Sequence, residues 1–169
     1  MVETKEQQAL ADALEREPGV VRIEEAHPRE TAMVRVDTTE TGLQPAIVDG
    51  LQAVATAMAA AGVELAGHPF TRYLEWGPGR AVAEIGFPVL RPAPQVGRVG
   101  PGRLPGGRVA SVVHQGPYET IADTYTRLQA WLAERGHAPT GPMWEYYVTD
   151  PDTEPDPAAW RTEVITPID

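Results

Sequence analysis

The sequence predicts an α+β fold that consists of two βαββ units related by internal duplication. Two segments show the helical periodicity of apolar residues, and each is followed by two segments typical of strands. Helix-ending glycines recur at Gly62 and Gly136, and strand-opening prolines recur at Pro69 and Pro142. The phrase AEIGFPV also returns as TEVITPI near the C-terminus. These repeated features predict pseudo-twofold symmetry, two helices on one side and a ligand cleft between the halves.

The first predicted repeat covers about residues 20–88. VVRIEEAHPRETAMVRVD predicts one or two strands that break at His27 and Pro28. A helix follows near residues 44–61, where apolar residues recur in steps of three and four. PFTRYLEW and RAVAEIGFPV predict two strands joined by a GPG turn. The order of this repeat is therefore strand, helix, strand, strand.

The second predicted repeat covers about residues 107–168 and has the same order of elements. Residues 89–106 are rich in proline and glycine, which favours a connector between the repeats. The second repeat has its helix near residues 118–135, followed by the strands PMWEYYVTD and WRTEVITPI. Residues 1–19 predict an N-terminal helical extension, so the domain itself spans residues 20–169.

Composition excludes several classes of function. The chain has 169 residues, of which 42% are hydrophobic, enough for one domain or two small fused units. Its 14 Lys and Arg against 24 Asp and Glu give a net charge of −10, which opposes a phosphate backbone, so we expect no direct binding to nucleic acid. No apolar stretch is long enough to span a bilayer, and the N-terminal residues lack the pattern of a signal peptide. We therefore expect no membrane partner and a cytoplasmic location.

The side chains available for chemistry carry oxygen, nitrogen or aromatic groups, because sulfur chemistry of cysteine is absent. The chain contains no Cys, which excludes disulfides, thiolate zinc sites and cysteine nucleophiles. Its four His residues form no set with the spacing of metal ligands. We expect neither a metal nor a cofactor.

The stretch HQGPY opens the second helix in an unusual way. Gly116 and Pro117 favour a sharp turn from strand to helix, which directs His114 and Tyr118 toward the same end of the preceding sheet. His114 has no Ser or Asp partner at a recognisable spacing, so we interpret it as a turn-stabilising group. Tyr125 lies on the apolar stripe of the helix, where core packing is the favoured interpretation.

Glu145 is the most unusual residue of the predicted strands. Strands disfavour Glu, and alternation places Glu145 and Tyr147 on one face with Trp144 on the other. A carboxylate among rings is costly unless a cation or a hydrogen-bond donor meets it. Either Glu145 serves a ligand, or it pairs internally with an arginine such as Arg72, its counterpart in the first repeat.

Several of these segments resemble one known family. HQGPYETIADTYTRLQAWLAERG, GPMWEYYVTDP and TEVITPI are similar to the GyrI-like small-molecule-binding domain, also called the bacterial transcription activator effector-binding domain. GHPFTRYLEW and AEIGFPV look like the first repeat of that family. The resemblance covers about residues 20–168, and its most specific parts are the H-x-G-P-Y turn and the P-x-x-E-x-Y strand at this spacing.

This resemblance implies a pocket that takes flat, apolar and often cationic compounds by stacking on aromatic rings and pairing with a carboxylate. The ligand-binding positions that it implies are Glu145, Tyr147, Tyr118, Tyr73 and Glu163. Trp144 is a further candidate, because four Trp against two Phe favour a pocket that grips flat molecules. The DNA-binding domain that precedes this module in family regulators is not among these residues, so we expect no promoter-binding activity.

Three functions remain open at this point. The first is cytosolic binding of planar, apolar, cationic small molecules. The second is a hydrolase that opens strained cyclopropane rings of cytotoxic alkylating compounds, as the resemblance implies for some standalone members. In that case Glu145 would be the general base, and Tyr147 or Tyr73 would donate a proton. The third is binding of a protein partner, such as gyrase, through an acidic surface. The sequence leaves the ligand and the oligomeric state open.

Overall fold

The computed structural model describes residues 14–169, which divide into two units. The first unit comprises residues 27–106, and the second unit comprises residues 14–26 together with residues 107–169. The predicted N-terminal helix lies mostly outside the described residues, although Leu14 and Glu15 are helical. The elements in chain order are β1 (Arg22–Ala26), β2 (Arg29–Thr38), α1 (Leu43–Ala60), β3 (Phe70–Gly77), β4 (Arg80–Pro88), β5 (Gly100–Leu104), β6 (Gly107–Gln115), α2 (Ile121–Glu134), β7 (Trp144–Tyr147) and β8 (Arg161–Pro167).

The strands of each unit pair in the same antiparallel order. In the first unit the order is β3-β4-β2-β5, and in the second unit it is β7-β8-β6-β1. Each unit therefore contains a βαββ sequence of elements plus one outer strand. The predicted α+β class is confirmed, whereas the pseudo-twofold axis, the common side of the helices and the cleft between the halves stay predictions.

The structure corrects the sequence prediction at the two outer strands. The predicted connector at residues 89–106 contains β5, which pairs with β2. Strand β1, which the sequence assigned to the first repeat, pairs with β6 instead. The predicted break at His27 and Pro28 is confirmed, since β1 ends and β2 begins on either side of it. Strand pairing is a non-local contact, so local composition carried no signal for either partner.

Helix α1 packs closely on the sheet of the first unit. Its buried side chains include Ile47, Val54 and Met58. A Cβ atom added at Gly50 would lie 3.0 Å from Val34 Cγ2 and 3.1 Å from Ile85 Cγ2, so glycine allows this close approach. The bounds agree with the helix predicted near residues 44–61.

Helix α2 packs on the sheet of the second unit through Leu128 and Leu132. These residues form a buried cluster with Ala110, Val112 and Val164, and the partly buried Tyr125 packs against it. The predicted start near residue 118 is a short 3₁₀ turn over Tyr118–Thr120, and the α-helix begins directly after it. Within residues 14–169, neither this nor any other helix is long and apolar enough to cross a membrane.

Candidate functional site

The turn before α2 is fixed by His114. This buried side chain places Nδ1 2.7 Å from Thr124 Oγ1 and Nε2 3.0 Å from the carbonyl oxygen of Pro117. Because a carbonyl only accepts, Nε2 carries the hydrogen in this contact. Gly116 has φ +131°, a left-handed value that favours glycine. The predicted turn-stabilising role of His114 is confirmed, and the turn gives Tyr118 a defined place at the end of the sheet.

Glu145 lies on the helix-facing side of the second unit. It pairs with Val164 on the neighbouring strand, and Val164 belongs to the core beneath α2. Only 5% of Glu145 is exposed. The Tyr125 hydroxyl donates a hydrogen bond to Oε1, and the Tyr147 hydroxyl donates to Oε2 at 3.1 Å. Two phenol donors therefore offset part of the cost of burying this carboxylate.

A cluster of half-buried rings continues from this carboxylate. Tyr147 meets Tyr118 edge to face, with ring centroids 6.0 Å apart and an interplanar angle of 77°. Tyr118 then meets Trp160 at 5.1 Å and 31°, a tilted stack. We call Tyr118, Tyr147 and Trp160 the aromatic cluster. A carboxylate joined by a hydrogen bond to such a cluster can hold an apolar molecule and compensate a positive charge at the same place.

Two negatively charged side chains, Glu145 and Asp150, act on the aromatic cluster. Burial raises the pKa of Tyr118 above its ordinary value of 10.0, and the negative charges of Glu145 and Asp150 raise it further. Tyr118 is therefore a neutral phenol at physiological pH. Its hydroxyl can donate a hydrogen bond, and its ring face keeps the electron density that attracts cations.

The structure brings Glu145, Tyr147 and Tyr118 together, but it places two other predicted residues elsewhere. Trp144 is 2% exposed and points to the opposite face of the sheet, because it precedes Glu145 on the strand. Glu163 pairs with Tyr146, on the same opposite face. The Glu163 carboxylate forms an ion pair with Arg16 at 3.3 Å.

Tyr73 lies in the first unit. Its ring meets Trp76 at 6.0 Å in an edge-on arrangement. Arg72, the predicted rival partner of Glu145, forms an ion pair with Glu84 at 3.2 Å. This pair satisfies Arg72 Nη1 within its own sheet.

Strand pairing also corrects the predicted repeat counterpart of Glu145. Ile85 and Val164 follow the matched glutamates of AEIGFPV and TEVITPI. Thr71 pairs with Ile85, as Glu145 pairs with Val164, so Thr71 rather than Arg72 is the counterpart. The count from the strand-opening prolines gave Arg72 because the segments that lead into the two strands differ by one residue.

The sequence did not single out Tyr125 or Trp160 as ligand-binding residues of this candidate site. Tyr125 was interpreted as core packing, yet its hydroxyl reaches the carboxylate of Glu145. Trp160 carried only the general signal of a chain rich in Trp. An apolar helical stripe that contains a Tyr opposite a strand Glu is the signal that could have indicated Tyr125.

The comparison with protein families identifies the chain. The profile of the GyrI-like small molecule binding domain matches residues 21–169. The chain therefore belongs to this family of small-molecule-binding domains, as the sequence resemblance predicted. A search of the curated proteins finds no match.

Solved structures show the same fold at low sequence identity. The C-terminal domain of EcmrR is 20% identical, with a TM-score of 0.79, over 89% of this chain and 97% of that domain. The EcmrR chain in its complex with DNA is also 20% identical, and the present protein spans 57% of the length of that chain. A hydrolase from Listeria innocua is 14% identical, with a TM-score of 0.63, over 96% of this chain and 98% of its own. SAV2435 bound to tetraphenylphosphonium is 10% identical, with a TM-score of 0.62, over 89% and 94%.

Proposed function

We propose that the protein binds apolar organic cations with flat ring systems beside Glu145. One observation carries this proposal: a buried carboxylate accepts a hydrogen bond from Tyr147, which itself belongs to the aromatic cluster. The rings supply apolar contact area, and the carboxylate supplies the opposite charge. The two requirements of an apolar cation are thus met within one set of side chains.

The hydrogen bonds of Glu145 fit this function. Tyr125 and Tyr147 are neutral phenols, so these two donors orient the carboxylate oxygens and bring no positive charge of their own. A ligand cation near Glu145 would gain a charge interaction in a site that is screened from water. The net charge of −10 favours the approach of cations to the protein as a whole.

The comparisons support the same class of ligand. SAV2435, which shares the fold, was solved with tetraphenylphosphonium, an apolar organic cation. Because SAV2435 and the present protein are alike in fold alone, we use tetraphenylphosphonium here as a probe of cation binding.

The test compares two probes of the same shape and opposite charge. Isothermal titration calorimetry with tetraphenylphosphonium and with tetraphenylborate should show binding of the cation and little binding of the anion. Glu145→Gln keeps the shape of the side chain and removes its charge. We expect it to weaken binding of tetraphenylphosphonium by at least tenfold, about 1.4 kcal/mol.

Glu163→Gln and Glu84→Gln are matched controls. Each removes one negative charge, so each changes the net charge of the protein as Glu145→Gln does. Both carboxylates, however, pair with arginines on the strand faces that point away from the helices. Their affinities for tetraphenylphosphonium should stay within about threefold of the wild type. Equal losses in all three variants, or equal binding of tetraphenylborate, would contradict a specific role for Glu145.

A hydrolase that opens cyclopropane rings is the second candidate, favoured by the carboxylate and phenol of Glu145 and Tyr147 at 3.1 Å. Glu145 would take a proton from water while the water oxygen bonds to a ring carbon. The ring C–C bond would break, its electron pair would move to a conjugated carbonyl oxygen, and Tyr147 would protonate that oxygen. If so, Glu145→Gln should lower turnover by about 10²- to 10⁴-fold, far beyond its effect on binding. Absence of any ring-opened product with the wild type would exclude this candidate.

A further inference from the structure

Trp160 stacks on Tyr118 and lies at the end of the loop that joins β7 to β8. Its ring is tilted by only 31° from that of Tyr118, whereas Tyr147 meets Tyr118 nearly at right angles. Both Tyr118 and Trp160 are half-buried, so each residue keeps part of its surface accessible. The two rings therefore form a tilted stack, and a planar ligand would add to it at an outer ring face.

Three hydrogen bonds hold Trp160 in this orientation. Its indole Nε1 donates to the carbonyl oxygen of Glu154 at 2.8 Å. Its own carbonyl oxygen accepts from the backbone nitrogen of Gly116 at 2.8 Å, and its backbone nitrogen donates to Pro157 at 3.2 Å. The indole is thus attached both to the loop and to the turn that carries Tyr118. A ring fixed in this way loses little further freedom when a ligand stacks on it.

We propose that Trp160 is a specificity-determining residue, which with Tyr118 favours planar aromatic cations over cations of tetrahedral shape. This inference rests on the proposed binding of organic cations and adds a ligand preference to it. A planar ring system can extend this stack by lying flat on an outer ring face, whereas a tetrahedral cation touches such a face with one substituent. Loss of the Trp160 ring should therefore cost a planar ligand more.

The loop that holds Trp160 also supplies negative charge near the rings. It carries four carboxylates, those of Asp150, Asp152, Glu154 and Asp156. The charge of Asp150 contributes to the raised pKa of Tyr118, so its field reaches the stacked pair. The stacking surface and a negative potential therefore occur together, which favours a flat ligand that is also a cation.

The test uses two monocations of different shape, proflavine, which is planar, and tetraphenylphosphonium, which is tetrahedral. Their dissociation constants are measured for the wild type and for Trp160→Ala by fluorescence titration and calorimetry. Trp160→Ala should weaken the binding of proflavine by about tenfold, which is the effect expected when one stacking ring is removed. Tetraphenylphosphonium should weaken by no more than about threefold, so the ratio of the two constants changes.

Further variants keep the test decisive. Trp160→Leu retains apolar volume without a ring, and it carries the same expectation if Trp160→Ala does not fold. Trp160→Phe retains a ring and should keep the ratio within about threefold of the wild type. Trp76→Ala, at a Trp that is 58% exposed in the first unit, is the matched control and should leave the ratio unchanged.

The outcomes separate this inference from the proposed function. If wild-type protein binds neither cation, the proposed function fails and the inference fails with it. If both cations bind and Trp160→Ala and Trp160→Leu change both constants by the same factor, only the role of Trp160 in specificity is overturned. A selective loss of proflavine in these variants, with recovery in Trp160→Phe, supports it.

Discussion

The two units have the same order of strands but differ at the position that holds the buried carboxylate. In the second unit this position is Glu145, which pairs with Val164, and in the first unit it is Thr71, which pairs with Ile85. Both side chains face the helix of their own unit, and both are buried. Equivalent places in two similar scaffolds thus hold a charged group in one and a small neutral group in the other.

The helices differ at the matching place. Gly62 and Gly136 end the two helices with the same φ of +71°, and Leu51 and Tyr125 lie at equal distances before them. The second unit therefore has Glu145 bonded to the Tyr125 phenol, whereas the corresponding positions of the first unit hold Thr71 and Leu51. The two differences belong together, because a buried carboxylate requires hydrogen-bond donors, which a tyrosine supplies and a leucine does not.

The strand faces that point away from the helices are alike in the two units. Glu84 pairs with Arg72 at 3.2 Å, and Glu163 pairs with Arg16 at 3.3 Å. Each unit therefore keeps a glutamate–arginine pair on the face away from its helix. The comparison indicates that the shared scaffold includes these ion pairs, while the candidate site depends on a few residues on the helix-facing side of one unit.

The largest effect should come from placing the carboxylate in the first unit. Thr71 is 0% exposed, and its helix offers Leu51 rather than a phenol. We expect Thr71→Glu to lower the free energy of unfolding by about 3 to 5 kcal/mol, the range for an uncompensated buried charge. Urea denaturation measures this loss.

The double variant Thr71→Glu with Leu51→Tyr sharpens the comparison. A tyrosine at position 51 should donate to the new carboxylate as Tyr125 donates to Glu145. It should therefore recover about 1 kcal/mol or more relative to the sum of the two single changes. Strict additivity would show that the helix tyrosine is not what makes the carboxylate tolerable.

A smaller loss should follow from Tyr125→Phe in the second unit. This change removes one donor to the buried carboxylate and keeps the ring, so we expect a loss of about 1.5 to 3 kcal/mol in the free energy of unfolding. The same change in a Glu145→Gln background should cost clearly less, because the acceptor is then neutral. Equal costs in both backgrounds would mean that Tyr125 contributes packing alone.

Much of the fold was accessible from the sequence because its signals are local. The helix predicted near residues 44–61 has bounds Leu43–Ala60, since apolar periodicity and the glycine at its end act within a few residues. Glu145 was recognisable for a similar reason, as a charged residue in an apolar strand. The partners of β1 and β5 were not accessible, because pairing joins segments that are far apart in the chain.

The rest of the candidate site depends on three-dimensional placement. The apolar stripe with Tyr125 and the strand residue Glu145 are each visible in the sequence, but their contact depends on how Leu128 and Leu132 pack α2 on the sheet. Trp160 reaches Tyr118 because the intervening loop folds back and accepts the indole hydrogen at Glu154. The resemblance to the family predicted Tyr118 and Tyr147 as ligand-binding positions, but it did not predict which residues they contact.

The smallest expected effect concerns the titration of Tyr118, which reports the charge of the second unit. Its pKa lies above 10.0, first because of burial and then because of Glu145 and Asp150. The folded state therefore holds this proton more tightly than the unfolded state. The resulting contribution to stability is fully present below about pH 10 and is lost as the pH rises through the higher pKa of the folded protein.

Glu145→Gln should lower the pKa of Tyr118 only part of the way to its ordinary value, because burial is the largest cause and remains. Tyrosinate absorbance, measured as the difference between each protein and its Tyr118→Phe variant, follows this one group. Asp150→Asn should shift the pKa in the same direction by less, and Glu84→Gln in the first unit should leave it unchanged. If Glu84→Gln lowered the pKa of Tyr118 as far as Glu145→Gln does, the effect would reflect the net charge of the chain. The local charge of Glu145 would then not distinguish the second unit from the first.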